Sequence, residues 1–531
     1  MTTTLPAHPD PATQTPRGGG AWPALAVGEA RRLLCHPATV AATLLVLGIW
    51  LVPLAADPAS GAYPDLTRSS WTVQYPMLIL AAGAFAAANL AGLRPHQHRT
   101  TEFERVLSMP RWHRTAAQCA ATAAPALLGF AVAAAQLGVR AGRPGAAGTV
   151  RWGELLAVPL FIMVAGLLGI VVAGAYPSVA AGFVTLTVLV VVGFVGLASS
   201  SRLRWLSFVA GEDPFRTPPM PNHLVDRPEW WHDAWLAGLG SVAVATAVFL
   251  AGLRGRVLTV ALAVSLVATV AAGAMQLRPP SAERDARLRA AHDAPAAMQV
   301  CQTRRDVTYC AFPEFRSRIG AWAAIVEAQL DAVPPDAAVP RFHVRQHLPM
   351  PLDDQGTAQP PPLARWAADD AAHHTPNAIP VSTRWSAGGV GSFDETEVLG
   401  FSAMVAATVV SGEPPSPDAF AACGARGGLA LWLAAGATRD TRGALTTILA
   451  HTSGGGLDLP VLDSTAGVRL GVAEVALGRA MLDADPSAVR AGVARHWPQL
   501  TSESTSVARA AALLGLPPPG PPPPPGSGTC T

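Results

Sequence analysis

The chain has 531 residues, of which half are apolar and only 14% charged, against roughly a quarter charged in ordinary soluble domains. With a mean hydropathy of +0.30, it is neither a wholly water-soluble protein nor a disordered one, which needs low hydrophobicity and high net charge. A net charge of +2 provides no basic field for nucleic acid.

There is no Lys, so all 38 basic residues are Arg. A phosphate-binding loop of the G-x-x-x-x-G-K-[ST] type and Schiff-base chemistry both need a Lys amine and are excluded. Residues 1–20 are polar, without the apolar core of a signal peptide. Residues 1–35 therefore read as a disordered cytoplasmic tail, closing on Arg31 and Arg32 just before the first apolar stretch.

A membrane helix needs about 20 uncharged residues to cross about 30 Å of hydrocarbon. Such stretches run over Pro37–Ala55, Gln74–Leu93, Ala116–Val139, Leu155–Tyr176, Val179–Ser199, Trp235–Leu253 and Val257–Gln276, and none contains Asp, Glu or Arg. Residues 36–277 thus read as an all-α, polytopic membrane bundle of six to seven spans. Six and seven differ at Leu155–Ser199, where only Pro177 and Ser178 separate two spans. The richness in Ala and Gly suits close helix packing in lipid, and Asn89, Gln118 and Gln136 either line a path for substrate or, as such residues more often do, hydrogen-bond between helices. Without an ionisable residue inside the spans, nothing marks a proton or ion relay.

The Arg94–Arg114 loop holds Arg94, Arg99, Arg105, Arg111 and Arg114, the densest basic cluster between spans. It places that loop and the N-terminus in the cytoplasm. Arg140, Arg143, Arg151, Arg202, Arg204, Arg216 and Arg227 would then face outside, so summed charge does not orient the far end. An odd count of seven would put residues 277–531 outside. Within the basic loop, Thr101 and Glu104 fit a capping box, and Phe103, Val106 and Leu107 share one face of a short helix that Pro110 ends.

After the spans, 278–300 reads as a charged linker helix and 301–515 as a mainly helical, extracytoplasmic domain. Cys301 and Cys310 bracket CQTRRDVTYC, a short loop that one disulfide could close, a bond that persists in oxidising compartments. Two unpaired thiols are the alternative; zinc is disfavoured because no CxxC or matched His pair accompanies them. Phe315, Ile319, Trp322 and Val326 form a core stripe. Pro334–Pro380 reads as irregular, and Glu395–Ser411, Ala421–Ala437, Val468–Leu482, Ser487–His496 and Ser504–Leu514 as helices. Residues 516–531 are a Pro-rich spacer.

No catalytic site, metal or cofactor is expected in the tail. The chain lacks H-E-x-x-H. His373 and His374 are adjacent and point apart, His451 has no carboxylate at ligand spacing, and Ser453 lacks the G-x-S-x-G elbow.

Three segments carry a resemblance: EARRLLCHP at Glu29–Pro37, the Thr101–Thr115 loop, and RPEWWHDAWLAGL at Arg227–Leu239. Together, over residues 29 to about 276, the chain resembles the membrane subunits of export-class ABC transporters of actinobacteria; it departs at Ser108, where that family more often has Pro. The resemblance implies a permease working as a homodimer or heterodimer and powered by a separate ATP-binding subunit. That subunit would dock on Phe103, Glu104, Val106 and Leu107, and the substrate would be amphipathic or lipid-like. The spacing from Cys301 to Phe315 is similar to the start of extracytoplasmic tails in such permeases. The alternatives are an interfacial helix lying on lipid, and a membrane-anchored sensor or scaffold whose outer domain binds a ligand.

Overall fold

Among the described residues, seven helices are long and apolar enough to cross a membrane, and they coincide with the seven uncharged stretches. The computed structural model describes residues 21–56, 63–98, 109–198, 205–209, 219–350, 361–385, 393–413, 420–452, 454–462 and 467–517. Within the stretch expected to be a disordered tail, residues 21–34 instead form a helix, α1 (Ala21–Leu34). Its Leu33 and Glu29 are buried, so the amphipathic GEARRLL run is ordered by packing.

The spans follow as α2 (Pro37–Ala56), α3 (Leu66–Thr72) continuing into α4 (Gln74–Gln97), α5 (Arg111–Ala121) continuing into α6 (Ala123–Ala141), α7 (Trp152–Ala175), α8 (Val179–Ala198), α9 (Glu229–Leu250) and α10 (Arg256–Gln276). α7 is central and packs on α4, α6 and α9, while α10 leans on α9 and α2 on α4. Gly169 sets the α4–α7 distance: a Cβ there would lie 2.5 Å from the Phe85 carbonyl oxygen. At that close approach the Asn89 amide donates to the Gly169 carbonyl at 3.1 Å, an interhelical bond of the kind expected from the sequence. α8 turns its apolar side chains outward, with Phe183 and Phe194 over 70% exposed. So large an apolar surface is stable against lipid or another apolar chain, not against water.

The connections sort to two ends. α1 packs on α5, and its Glu29 pairs with Arg32 at 2.7 Å and Arg94 at 3.6 Å, so the Arg94–Arg114 connection leaves from the α1 end. At the other end three loops meet. Leu66 N–H donates to the Ala147 carbonyl at 2.8 Å, Thr67 Oγ1 lies 3.0 Å from Asn222 Oδ1, and Arg227 pairs with Glu154 at 2.6 Å.

The tail corrects the all-α expectation. It begins with α11 (Ala282–Asp293), capped by Ser281. The expected linker is docked: Arg284 Nε donates to the Leu224 carbonyl at 3.2 Å and Asp293 pairs with Arg365. β1 (Val300–Arg304) and β2 (Val307–Ala311) form an antiparallel hairpin, and β3 (His343–His347) and β4 (Ala378–Ser382) extend the sheet in parallel, in the order β1-β2-β3-β4. α12 (Ile319–Asp331) buries Ile319, Trp322 and Val326, and Phe315 in the preceding turn is also buried. α13 (Leu363–Ala372) lies between β3 and β4 in the chain. α14 (Phe393–Ser411), β5 (Phe420–Ala421), α15 (Ala425–Gly436), α16 (Arg439–His451), β6 (Leu457–Pro460), β7 (Gly467–Leu470), α17 (Val472–Asp483), α18 (Pro486–Leu500) and α19 (Val507–Leu513) complete the domain. A second sheet runs β5-β7-β6, and one apolar core joins both sheets through Trp322, Val381, Phe401, Leu431 and Leu459.

β3 carries polar residues inward. Arg345, fully buried, hydrogen-bonds Asp370 and Thr375 of the α13 end and Gln299 at 2.8 Å. Burial pushes the Asp370 carboxyl up to about 6, and Arg345 holds it back from going further. His347 is buried with its ring 3.9 Å from that of Trp366. Burial, then Arg345 and His292, hold its pKa well below the ordinary value of 6.5. A folded pKa below the unfolded one means the unfolded chain binds more protons, so this contribution to stability is lost as pH falls below 6.5. Asp370, raised, works in the opposite sense. Replacing His347 with Phe keeps a ring on Trp366 and removes the titration. Below pH 6.5, unfolding free energies of His347→Phe should fall less steeply with acidification than wild type, by up to about 1.4 kcal/mol per pH unit. Equal slopes in denaturant titrations at several pH values would remove His347 from the account.

Candidate functional site

At the α1 end the bundle opens. α4 closes on Arg94, Pro95 and His96, and α5 begins at Arg111 behind Pro110. On α5, Arg111, Arg114, Thr115 and Gln118 fall three and four residues apart, which puts them on one helix face; Ala117, Cys119 and Ala121 are buried. The polar face lines a cavity of about 250 Å³, together with Gly92, Pro95 and His96. The far wall is Ile170, Ala173, Gly174, Ala247, Leu250 and Ala251, from α7, α9 and the turn after α9. Among the described residues no carboxylate lines this cavity.

The docking residues read from the sequence, Phe103, Glu104, Val106 and Leu107, lie outside the described residues. The described chain on either side of them runs into residues that line this cavity, His96 before and Arg111 after. Gln118 lines the cavity, whereas Asn89 is spent on the α4–α7 contact. A second, apolar cavity of about 190 Å³ lies between α4 and α8, lined by Leu78, Phe85, Leu186, Val190, Phe194 and Phe208 among others.

The opposite end is charged and covered. α7 and α9 begin before the uncharged stretches Leu155–Tyr176 and Trp235–Leu253, which hold no acid, so Glu154, Glu229 and Asp233 sit at the starts of the helices and outside those stretches. Arg227 pairs with Glu154 at 2.6 Å and Arg151 with Glu229 at 2.5 Å, and the Arg227 guanidinium lies 5.6 Å from the Trp71 ring centre. All four charged groups are largely buried. Such pairs add little net stability but are costly to break singly, so they fix the relative register of α3, α7 and α9. Asp233, beside them, buries both carboxylate oxygens without a hydrogen-bond partner among the described residues.

The tail seats on this end through the turn Pro313–Arg318. Asn222 N–H donates to the Glu314 carboxylate at 2.9 Å. Gly148 N–H donates to the Glu314 carbonyl at 3.1 Å. Gly148 sits at φ +76°, with Asp65 and Thr67 where a Cβ would go, so a larger residue there would push the loop off the tail. Ser317 Oγ donates to the Ala146 carbonyl at 2.8 Å, and Phe312, Phe315, Met220, Leu224 and Ala147 close over one another.

Cys301 and Cys310 are joined in a disulfide. The segment CQTRRDVTYC is a hairpin, with a two-residue turn at Arg305 and Asp306, both at positive φ, as a type I′ turn requires. Arg304 faces Val307 across the turn, and three pairs further along Cys301 faces Cys310, a non-hydrogen-bonded position where facing residues approach most closely. Their Cα atoms are 4.1 Å apart. Cys423 is also disulfide-bonded, while Cys35 and Cys119 are free thiols. Among the described residues, no group of His, Cys, Asp or Glu is placed to hold a metal ion.

Comparison of the chain with protein-family models, characterised proteins and solved structures finds no match.

Closing a loop of this size stabilises by about 2–3 kcal/mol. Replacing both Cys301 and Cys310 with Ser should lower the unfolding free energy of the tail by about that amount, read in chemical denaturation with and without reductant. A variant as stable as wild type under non-reducing conditions would show that the hairpin holds without the bond.

Proposed function

We propose that this protein is the membrane subunit of an ABC-type exporter, driven by a separate ATP-binding subunit that docks at the α1 end. The observation that carries the reading is the asymmetry of the bundle: one end opens into a basic cavity beside the Arg94–Arg114 connection, and the other is covered by a docked domain. In this reading the work would come from another chain. Docked at residues 101–108, that chain would push on the start of α5 and so on the cavity wall. Rigid-body rocking of packed helices is the kind of transition such a push produces. The outward apolar faces of α8 and α10 would meet lipid or a second permease subunit, in a homodimer or heterodimer.

The α1 end would be cytoplasmic. Arg31, Arg32, Arg94, Arg111, Arg114, Arg254 and Arg256 gather there, as positive residues do on the cytoplasmic side. The other end carries Arg68, Arg140 and Arg143, with Arg151 and Arg227 paired inside the protein. The tail with its disulfide would then stand outside the cell membrane, where such bonds persist. A membrane-anchored sensor or scaffold is the second reading, favoured by the extent of the docked outer domain.

Tagged protein extracted from its native host in mild detergent should retain a stoichiometric ATPase. Phe103→Asp with Leu107→Asp should abolish that recovery while the protein remains folded and in the membrane. Intact wild type recovered without any ATPase would favour the sensor or scaffold.

A further inference from the structure

We infer that Cys423 is bonded to Cys530, so that the Pro-rich segment 516–531 returns to the tail domain as a covalent strap and is not a spacer leading away from it. The inference concerns the tail alone and does not depend on the transport reading.

The cysteines leave one partner. The chain has six. Cys35 and Cys119 are free thiols, Cys301 and Cys310 are bonded to each other, and Cys423 is disulfide-bonded. The sixth, Cys530, lies outside the described residues and is the one cysteine left to take the Cys423 sulfur.

The place of Cys423 suits a bond to this segment. It is half-buried, between β5 and α15, in a turn that packs on the residues just before α19. Ala425 N–H donates to the Thr505 carbonyl at 2.9 Å. Gly424, at φ +65°, approaches the same carbonyl so closely that a Cβ would lie 2.6 Å from its oxygen. The Gly424 N–H donates to the Glu474 carboxylate at 2.9 Å. From Thr505 the chain runs through α19, whose seven residues rise about 10 Å, to Leu516, which packs against the core. The thirteen residues 518–530 can span up to about 40 Å as polyproline II. The Cys423 sulfur is therefore within reach without disturbing either anchor.

The strap holds a weak element. A helix as short as α19 does not persist by itself, and it buries only Val507, Ala510 and Ala511. Fastening the chain beyond α19 to a residue beside its start secures both of its ends. Forming the bond takes two protons and two electrons from the Cys423 and Cys530 thiols, by exchange with the disulfide of an oxidising carrier that leaves as a dithiol. It needs the same kind of compartment as the Cys301–Cys310 bond.

The test counts thiols and maps the bond in the full chain. Cells are treated with N-ethylmaleimide during extraction, and the protein is denatured without reductant in excess reagent and weighed by mass spectrometry. Wild type should carry two maleimide groups, on Cys35 and Cys119. Cys530→Ser should carry three, the added one on Cys423, and Cys423→Ser should carry three, the added one on Cys530. These counts are read on denatured protein, so a poorly folding variant still reports. Trypsin cuts this Lys-free chain at Arg. Without reductant it should release peptide 385–426 joined to peptide 510–531, from a chain that migrates as a monomer. Three results would overturn the inference: four maleimide groups on wild type, peptide 385–426 joined to a second copy of itself, or the expected peptide pair recovered only from covalent dimers.

Discussion

Arg318 joins the two halves of this molecule. Its side chain is wholly buried. One terminal nitrogen donates to the carbonyls of Thr383 and Trp385 at 2.8 and 2.9 Å, after strand β4 of the tail. The other donates to the carbonyl of Tyr63 at 3.0 Å, in the loop between the first two spans. A guanidinium taken out of water costs several kcal/mol unless its protons are satisfied. The tail alone satisfies part of this group, and the membrane loop supplies a further acceptor. The Tyr63 ring packs edge-on against Trp385 at 4.9 Å, which packs in turn on Trp322, so the charge is sealed by the tail's own core. The tail's seating on the bundle therefore completes the hydrogen bonding of a charge buried in the tail's own core.

That constraint decides how the two ends of the bundle differ. The covered end is built from pairs and caps: Arg227 with Glu154, Arg151 with Glu229, and Asp65 accepting from the first N–H groups of α3. With the Pro313–Arg318 turn added, this end has little freedom. The α1 end has a cavity, a basic stripe and a connection carrying an amphipathic sequence. Under the proposed function, motion and ligand entry would belong to that end.

Much of the bundle was legible because lipid imposes a simple rule: about 20 uncharged residues per crossing. Where the rule ends, the reading ended too. Glu154, Glu229 and Asp233 follow the loops in sequence and belong to helices in space, because partners 70 to 80 residues away neutralise two of them. The Ile319–Trp322–Val326 stripe was legible since α12 has one wet face. β3 was not, because Arg345, Gln346 and His347 are polar and buried together, which defeats the alternation that marks a strand. β4 contains Pro380, tolerated because β4 is an edge strand. α16 was missed because only Thr441, Ala444, Leu445 and Ile448 of its thirteen residues are buried. In the candidate site, Gln118 and the α5 arginines could be named from the sequence, but their shared cavity needed the far wall from α7 and α9.

The account stands on the tail being seated at the bundle end away from α1, against the loop between α6 and α7. The most direct measurement is a proximity test in native membranes. Cys35 and Cys119 are replaced, and Cys is placed at Ala146 and Ser317, whose side-chain to backbone hydrogen bond spans 2.8 Å. A short bis-maleimide should bridge the two in high yield, shown by a mobility shift that proteolysis between them does not resolve. Two cysteines that each react with maleimide singly but never bridge would contradict the seating, and with it the division of the bundle into a fixed end and an open one.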